Sequence, residues 1–273
     1  MPILADQHMH SSFSADSKAP LKDMVEGALK KGLVHVNITE HNDFDFPSNP
    51  WYPDHAWDLN VDSYLYDLLC LREEYQDRIN IGFGIEIGLQ ECCLQKNFTI
   101  SNSQPYDFII GSIHIVNGVD TYDPKYYEGK TTKQAIDEYF ENMLRNIKKF
   151  KNFDVLGHMD YVTRTLPEGE VAYNPMDYKN FIDEVLTFLI DSGKGLEINT
   201  SAVWKQGNKN ANPHLEILKM YKEKGGEIVT VGSDAHEPSV IAGAFDFAEK
   251  LLRDAGFDYY TVFTHRLPMQ MKL

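Results

Sequence analysis

Short, nearly continuous apolar runs alternate along this chain with longer stretches whose apolar residues recur every three or four positions. The short runs predict strands over 3–8, 34–39, 81–86, 107–113, 154–158, 195–199 and 228–233. The periodic stretches predict helices over 20–31, 61–76, 132–150, 177–192, 213–225 and 239–255. Leu21, Met24, Val25 and Ala28 give the first helix its stripe, and Ala135, Tyr139, Met143 and Ile147 do the same at 132–150. Gly32, Gly193 and Gly225 stand where helices should stop. Strands that are apolar rather than alternating should be covered by helices on their outer face. Seven such β/α units in one domain predict an α/β fold built as a parallel barrel, closed or distorted. No Pro/Gly/Ser-rich linker or repeat interrupts it, so 1–273 reads as a single domain.

The C-terminal ends of the strands are where such barrels place their chemistry, and there the chain concentrates histidine and carboxylate. His8 and His10 follow Ile3-Leu4-Ala5, His41 follows the run at 35–39, and Glu86 closes the run at 81–85. His114 follows Phe108-Ile109-Ile110, His158 follows Val155-Leu156, and Asp234 and His236 follow Ile228–Val231. Asp16 lies six residues beyond His10 and completes a set of nine. Imidazole and carboxylate together suit zinc, iron or manganese, and the set is large enough for two or three ions. Residues i and i+2 on a strand share a face, which pairs His8 with His10 and Asp234 with His236. Gly82 and Gly84 share Glu86's face and leave room beneath it. His35 reads as a core residue, His55 as part of an aromatic loop, His214 as a helix start and His265 as part of a C-terminal tail; none is assigned to metal.

The net charge of −15 disfavours nonspecific nucleic-acid binding and repels anionic substrates at long range. A metal cluster reverses that sign locally: three divalent ions against Asp16, Glu86 and Asp234 sum to about +3. The three cysteines, Cys70, Cys92 and Cys93, form no disulfide framework. The Cys92-Cys93 pair is able to bind a metal but reads first as two thiols. No apolar stretch approaches the roughly 20 residues a membrane span needs. The first ten residues already carry chemistry, so no signal peptide is expected and the cytoplasm is the simplest compartment.

Asp6-Gln7-His8-Met9-His10, Thr39-Glu40-His41, Gly157-His158-Met159-Asp160 and Gly232-Ser233-Asp234-Ala235-His236 resemble, in order, motifs of the polymerase-and-histidinol-phosphatase (PHP) superfamily. Within it, the segments 107–114, 157–160 and 196–201 are most similar to histidinol-phosphate phosphatases. The resemblance implies a distorted seven-stranded (β/α)7 TIM-like barrel of the PHP fold, and hydrolysis of L-histidinol phosphate in histidine biosynthesis at a three-metal centre, zinc first, with iron or manganese as alternatives. It implies one ion on His8, His10, Glu86 and Asp234, a second on Glu86, His114 and His158, and a third on Asp16, His41 and His236. Asp16 departs from members with histidine there. Ala202-Val203-Trp204-Lys205 departs from relatives with an arginine, so Lys205 inherits a phosphate-binding role, beside Asn199 and Ser201 as substrate contacts.

Protonation of the leaving alcohol falls to Asp234 or His236, which the sequence does not separate. Arg164, six residues after His158, either grips phosphate with its planar fork or forms a surface salt bridge. The segment 42–62, with Phe44, Phe46, Trp51, Tyr52, His55 and Trp57 among Asp43, Asp45, Asp54 and Asp58, reads either as a lid for an imidazole and an amine, with Phe44 and Trp57 in contact, or as a loop with its own apolar cluster. Competing readings are a phosphoesterase for nucleotides, oligonucleotides or phosphotyrosine, and a metal-binding protein without activity.

Overall fold

A computed structural model describes residues 2–48, 52–167, 173–207 and 210–273. Its strands are β1 (Ala5–Asp6), β2 (His35–Asn42), β3 (Asn80–Gly88), β4 (Phe108–Ser112), β5 (Ile115–Val116), β6 (Val119–Asp120), β7 (Val155–Leu156), β8 (Gly195–Asn199), β9 (Val229–Gly232), β10 (Tyr259–Thr264) and β11 (Leu267–Lys272). Its α-helices are α1 (Leu21–Lys30), α2 (Val61–Tyr75), α3 (Leu94–Ser101), α4 (Thr132–Lys149), α5 (Lys179–Asp191), α6 (Ser201–Gln206), α7 (Leu215–Glu223) and α8 (Phe245–Asp254).

Strands β1, β2, β3, β4, β7, β8 and β9 lie side by side in that order, all parallel. The two edges meet. Gln7 N donates to Val231 O at 3.0 Å, Asp234 N donates to His8 O at 2.8 Å, and Met9 bridges Ala235. The sheet therefore nearly closes into the parallel barrel that the alternation predicts, with the seven strands that the resemblance implies. On its outer face Ile38, Phe83, Ile85 and Ile109 join one apolar cluster with Met24 and Val25 of α1, Leu68 of α2, and Tyr139 and Met143 of α4. Asn60 caps α2 by accepting from Ser63 N, and a Thr131–Gln134 capping box starts α4. Gly32, Gly193 and Gly225 do end helices, each with positive φ. No helix among the described residues is long and apolar enough to cross a membrane.

Several boundaries differ from expectation. His41 and Glu86 lie inside β2 and β3 rather than beyond them, because those strands run on to Asn42 and Gly88. The helix expected over 239–255 is a 3₁₀ turn at Pro238–Val240 followed by α8, separated by Ala242 and Ala244 at positive φ. The segment around His265 is not a tail. It is the turn of the antiparallel β10–β11 hairpin, and this hairpin plugs the barrel. The register pairs Gly84 with Phe108 and Glu86 with Ile110, so Phe108 and Ile110 point inward. There Phe263 of β10 completes a small apolar cluster with Phe108, Ile110 and Val155 and stacks on Phe108 at 5.0 Å. Gln7 Oε1 accepts from Phe263 N at 2.9 Å, and Asn37 Nδ2 donates to Phe263 O at 3.1 Å.

Phe263→Ala should empty this plug. Large-to-small changes of a buried aromatic cost about 3–5 kcal/mol, so urea unfolding should show a loss of that size. A loss below about 1 kcal/mol would mean that the hairpin does not close the barrel floor.

Candidate metal centre

Strand alternation aims His8 and His10, just past β1, into the barrel mouth with His41 on β2 and Glu86 on β3. His114, His158, Asp234 and His236 join them from just past β4, β7 and β9. His8 Nε2 lies 3.0 Å from His10 Nε2, 3.2 Å from Glu86 Oε2 and 3.8 Å from Asp234 Oδ1. Across the same carboxylate, Glu86 Oε1 is 3.3 Å from His114 Nε2 and 2.9 Å from His158 Nε2. At the rim, Asp16 Oδ2 is 2.9 Å from His236 Nε2 and 3.8 Å from His41 Nε2. The rings of His41 and His236 both stack on His10, with centroids 4.1 and 4.4 Å away. All nine side chains singled out in the sequence thus converge. His41 also links the groups, its Nδ1 lying 3.0 Å from Glu86 Oε2 without forming a hydrogen bond. The triads His8–His10–Glu86, His41–Glu86–His114 and His10–His41–His236 each bring three donor atoms within 4.8 Å of one another.

The proton positions on these rings follow from their outer partners. A carbonyl or carboxylate oxygen only accepts, so the nitrogen facing it carries the hydrogen. His8 Nδ1 donates to Glu197 Oε1 at 2.5 Å, His114 Nδ1 to Asp43 Oδ1 at 2.8 Å, and His236 Nδ1 to the Asp234 carbonyl at 3.0 Å. For His10 the partner is Ser14 Oγ at 3.2 Å; the serine gives its own proton to Glu40 Oε2 at 2.5 Å and so accepts from the ring. As a neutral ring, each of these four imidazoles keeps a bare Nε2. Those lone pairs point at one another or at carboxylate oxygens, an arrangement that repels unless cations sit between them. The residues present therefore fit divalent metal.

Without cations between these atoms, protons on the rings must take their place. Burial opposes ionisation of Glu86, yet His8, His41 and His114 hold its carboxyl well below the usual range. Burial, with His41 and His236 beside it, pushes His10 down to about 3. Burial also opposes charge on His114, but Asp43 and Glu86 lift it to about 10. Two candidate ligands hold strained backbone: Asp234 has φ 55° and His158 has φ 21°. Such conformations persist where the surroundings over-determine them. Gly232 lies so close to His8 and Glu197 that a Cβ there would collide with both.

Above the cluster opens a cavity of about 1310 Å³. Arg164 lines it, buried rather than in a surface salt bridge. Its Nε donates to Asn212 Oδ1 and its Nη2 to Asn199 Oδ1, both at 2.7 Å, and its Nη1 donates to Asp234 Oδ2 at 3.2 Å. Ser201 and the exposed Lys205 line the cavity. Asn199 does not; it stands behind, holding Arg164 and Asp234. Trp57 lines the wall, edge-on to His41 at 5.3 Å and stacked on Phe46 at 4.4 Å, with Tyr52 beside it.

Phe44 is a correction. Its ring sits under Lys96 and its carbonyl accepts from Gln90, and Phe46 takes the place expected of it. Trp51 lies outside the described residues. The aspartates of 42–62 also miss this cavity: Asp43 braces His114, Asp45 pairs with Lys96, and Asp54 and Asp58 face a smaller cleft with His55. The acidic wall comes instead from Asp120 and Asp123, at and just after β6, next to Tyr122. Lys18, Lys125, Lys205 and Arg164 add positive charge around the mouth. Glu197, Asp43 and Ser14 were not foreseen, although the two-residue period marks two of them: Asp43 follows His41 by two, and Glu197 precedes Asn199 by two.

A model of the PHP domain matches residues 6–201. The chain belongs to the PHP domain family. Histidinol-phosphatase of Lactococcus lactis subsp. lactis is 30% identical to this PHP chain over 260 residues, which is 95% of this chain and 94% of the relative. A protein of Clostridium acetobutylicum named "Probable histidinol-phosphatase" is 34% identical over 251 residues, 91% and 92% of the two chains. The PHP barrel also superposes on the crystal structure of histidinol phosphate phosphatase from Lactococcus lactis complexed with zinc, L-histidinol and phosphate. The TM-score is 0.88 at 30% identity, over 97% of this chain and 98% of that one.

Loss of an outer partner of a metal-binding histidine typically weakens metal binding about 10–100-fold. Glu197→Ala should do so here while the far-ultraviolet circular dichroism stays native. A chelator competition that finds unchanged affinity would remove Glu197 from the support of His8.

Proposed function

We propose that this chain is a metal-dependent phosphomonoesterase that hydrolyses L-histidinol phosphate to L-histidinol and phosphate, a step of histidine biosynthesis. One observation carries the reading. The convergent Nε2 atoms around Glu86 sit beneath a cavity, in a chain alike throughout its length to an enzyme whose crystal structure holds zinc, L-histidinol and phosphate. The residues would hold three divalent ions: one on His8, His10, Glu86 and Asp234, one on Glu86, His114 and His158, and one on Asp16, His41 and His236. Zinc is the first choice, and iron or manganese accepts the same donors. When bound, such ions supply Lewis acidity towards the phosphate oxygens and the attacking water.

The protein's own groups do the rest. Arg164, fixed by Asn199, Asn212 and Asp234, offers a planar cation to the phosphate. Lys205 and Ser201 border the same space. Asp234 and His236 both line the cavity beside the place of the third ion, so the proton for the leaving oxygen is passed on this side. Between the Phe46–Trp57 wall and the Asp120–Tyr122 wall lies room for a flat cationic or polar group, which suits imidazole and amine. Phosphate is thus read at the floor and the histidinol moiety at the walls.

The cluster alone cannot tell one ester from another, so the walls must. L-histidinol phosphate should be hydrolysed at least about a hundredfold more efficiently than glycerol phosphate or a simple aryl phosphate, as roughly 3 kcal/mol of wall contacts implies. Equal efficiency on all three would sink the histidine-pathway reading and leave the phosphatase intact. Preference for a nucleotide or a phosphotyrosyl peptide would replace it.

Arg164→Ala should weaken inhibition by inorganic phosphate and lower kcat/KM about 10–100-fold, the worth of a lost charge-assisted hydrogen bond of about 1.5–3 kcal/mol. Lysine should restore charge but not the fork. An unchanged phosphate inhibition constant in the alanine variant excludes the contact.

A further inference from the structure

A second cluster of metal-binding atoms lies outside the barrel mouth. Cys92 and Cys93 belong to the 3₁₀ turn Glu91–Cys93 that leads into α3, and Asp45 comes from the loop after β2. Cys93 Sγ is 3.6 Å from Cys92 Sγ, 3.4 Å from Asp45 Oδ2 and 3.2 Å from the Phe44 carbonyl. The two sulfurs and a carboxylate oxygen all fall within 4.8 Å of one another.

These separations can be compared with what an ion demands. A tetrahedral ion with metal–sulfur bonds of about 2.3 Å and metal–oxygen bonds of about 2.0–2.2 Å sets its two sulfurs about 3.8 Å apart and sulfur to oxygen about 3.5 Å apart. The sulfur–sulfur and Cys93–Asp45 separations are already within a few tenths of an ångström of that. The other oxygen of Asp45 is engaged by Lys96 at 2.6 Å, which holds the carboxylate with Oδ2 towards the sulfurs. Cys93 is buried and Cys92 exposed, so the pair has both a fixed member and an accessible one.

We propose that Cys92, Cys93 and Asp45 form a separate site for a thiophilic divalent cation of the zinc or cadmium kind, with the Phe44 carbonyl in position to complete it. Two thiolates favour a soft or borderline ion, and the carboxylate favours a divalent one. Binding releases the two thiol protons to solvent. The bound ion ties the loop carrying Asp45 to the turn before α3. Asp45 directly precedes Phe46, so the site lies at the root of the aromatic wall of the cavity.

The test is a cadmium titration of the zinc-loaded protein, followed by the ultraviolet thiolate-to-cadmium charge-transfer band. The barrel cluster contains only nitrogen and oxygen donors and cannot produce this band. The remaining thiol, Cys70 on α2, is controlled by Cys70→Ser. The site predicts a band that saturates at a single equivalent, persists in Cys70→Ser and disappears in Cys92→Ser. Asp45→Asn should weaken it at least about tenfold, since even outer partners of metal ligands are worth that much. Absence of the band, its persistence in Cys92→Ser, or unchanged affinity in Asp45→Asn would each overturn the proposal and leave a hydrogen-bonded thiol pair only.

Discussion

Everything at the mouth of this barrel depends on one buried anion. The Glu86 carboxylate is fully enclosed, and burying an ionised carboxylate costs several kcal/mol unless opposite charge and hydrogen bonds meet it. Ser112 Oγ donates to one oxygen at 2.6 Å, and otherwise imidazole nitrogens surround it. Outer acceptors have already taken the Nδ1 protons of His8, His10 and His114. What faces Glu86 is therefore either a second proton or a lone pair on each ring, and cations placed between them satisfy both sides. The same demand explains features further out. Glu197 must stand inside β8 to orient His8, Gly232 must be small to admit both, and Asp234 must take a left-handed backbone to reach the cluster. The polar mouth leaves the barrel short of apolar filling, and Phe263 supplies it from below.

The candidate ligands were legible in the sequence because two signals coincide. Strand ends in a parallel barrel converge, and the two-residue period puts His8 with His10 and Asp234 with His236. The orienting groups were less visible, since Glu197 sits within Leu196-Glu197-Ile198 as an ordinary member of a strand, and Ser14 accepts from His10 because Glu40, 26 residues away, takes the serine's own proton. The C-terminal hairpin escaped for a local reason. Its turn places His265 and Arg266 at φ 52° and 64°, where Asn-Gly is the usual signal, and Pro268 interrupts the second strand's pattern. In the segment 42–62 the composition was right and the directions were not. Phe46 and Trp57 face the cavity, Phe44 turns away, and Asp43 points to the metal centre rather than to substrate.

The structure separates the tasks of a phosphatase in space. The floor is a cation-binding lattice of imidazole and carboxylate with Arg164 beside it, and it suits any phosphomonoester. The walls come from two loops unrelated in sequence, one aromatic and one acidic. Lys18, Lys125, Lys205 and Arg164 line this opening against five carboxylates, so in a chain of net charge −15 bound metal would have to supply the positive charge that a phosphate needs.

The central claim is that the buried Glu86 charge is shared between bound cations. Metal content of Glu86→Gln, measured by elemental analysis beside the wild type, tests it most directly, because glutamine keeps the shape and removes the charge. The account predicts a loss of more than one equivalent of metal together with loss of phosphatase activity. A variant that retains its full metal complement and its activity would contradict it.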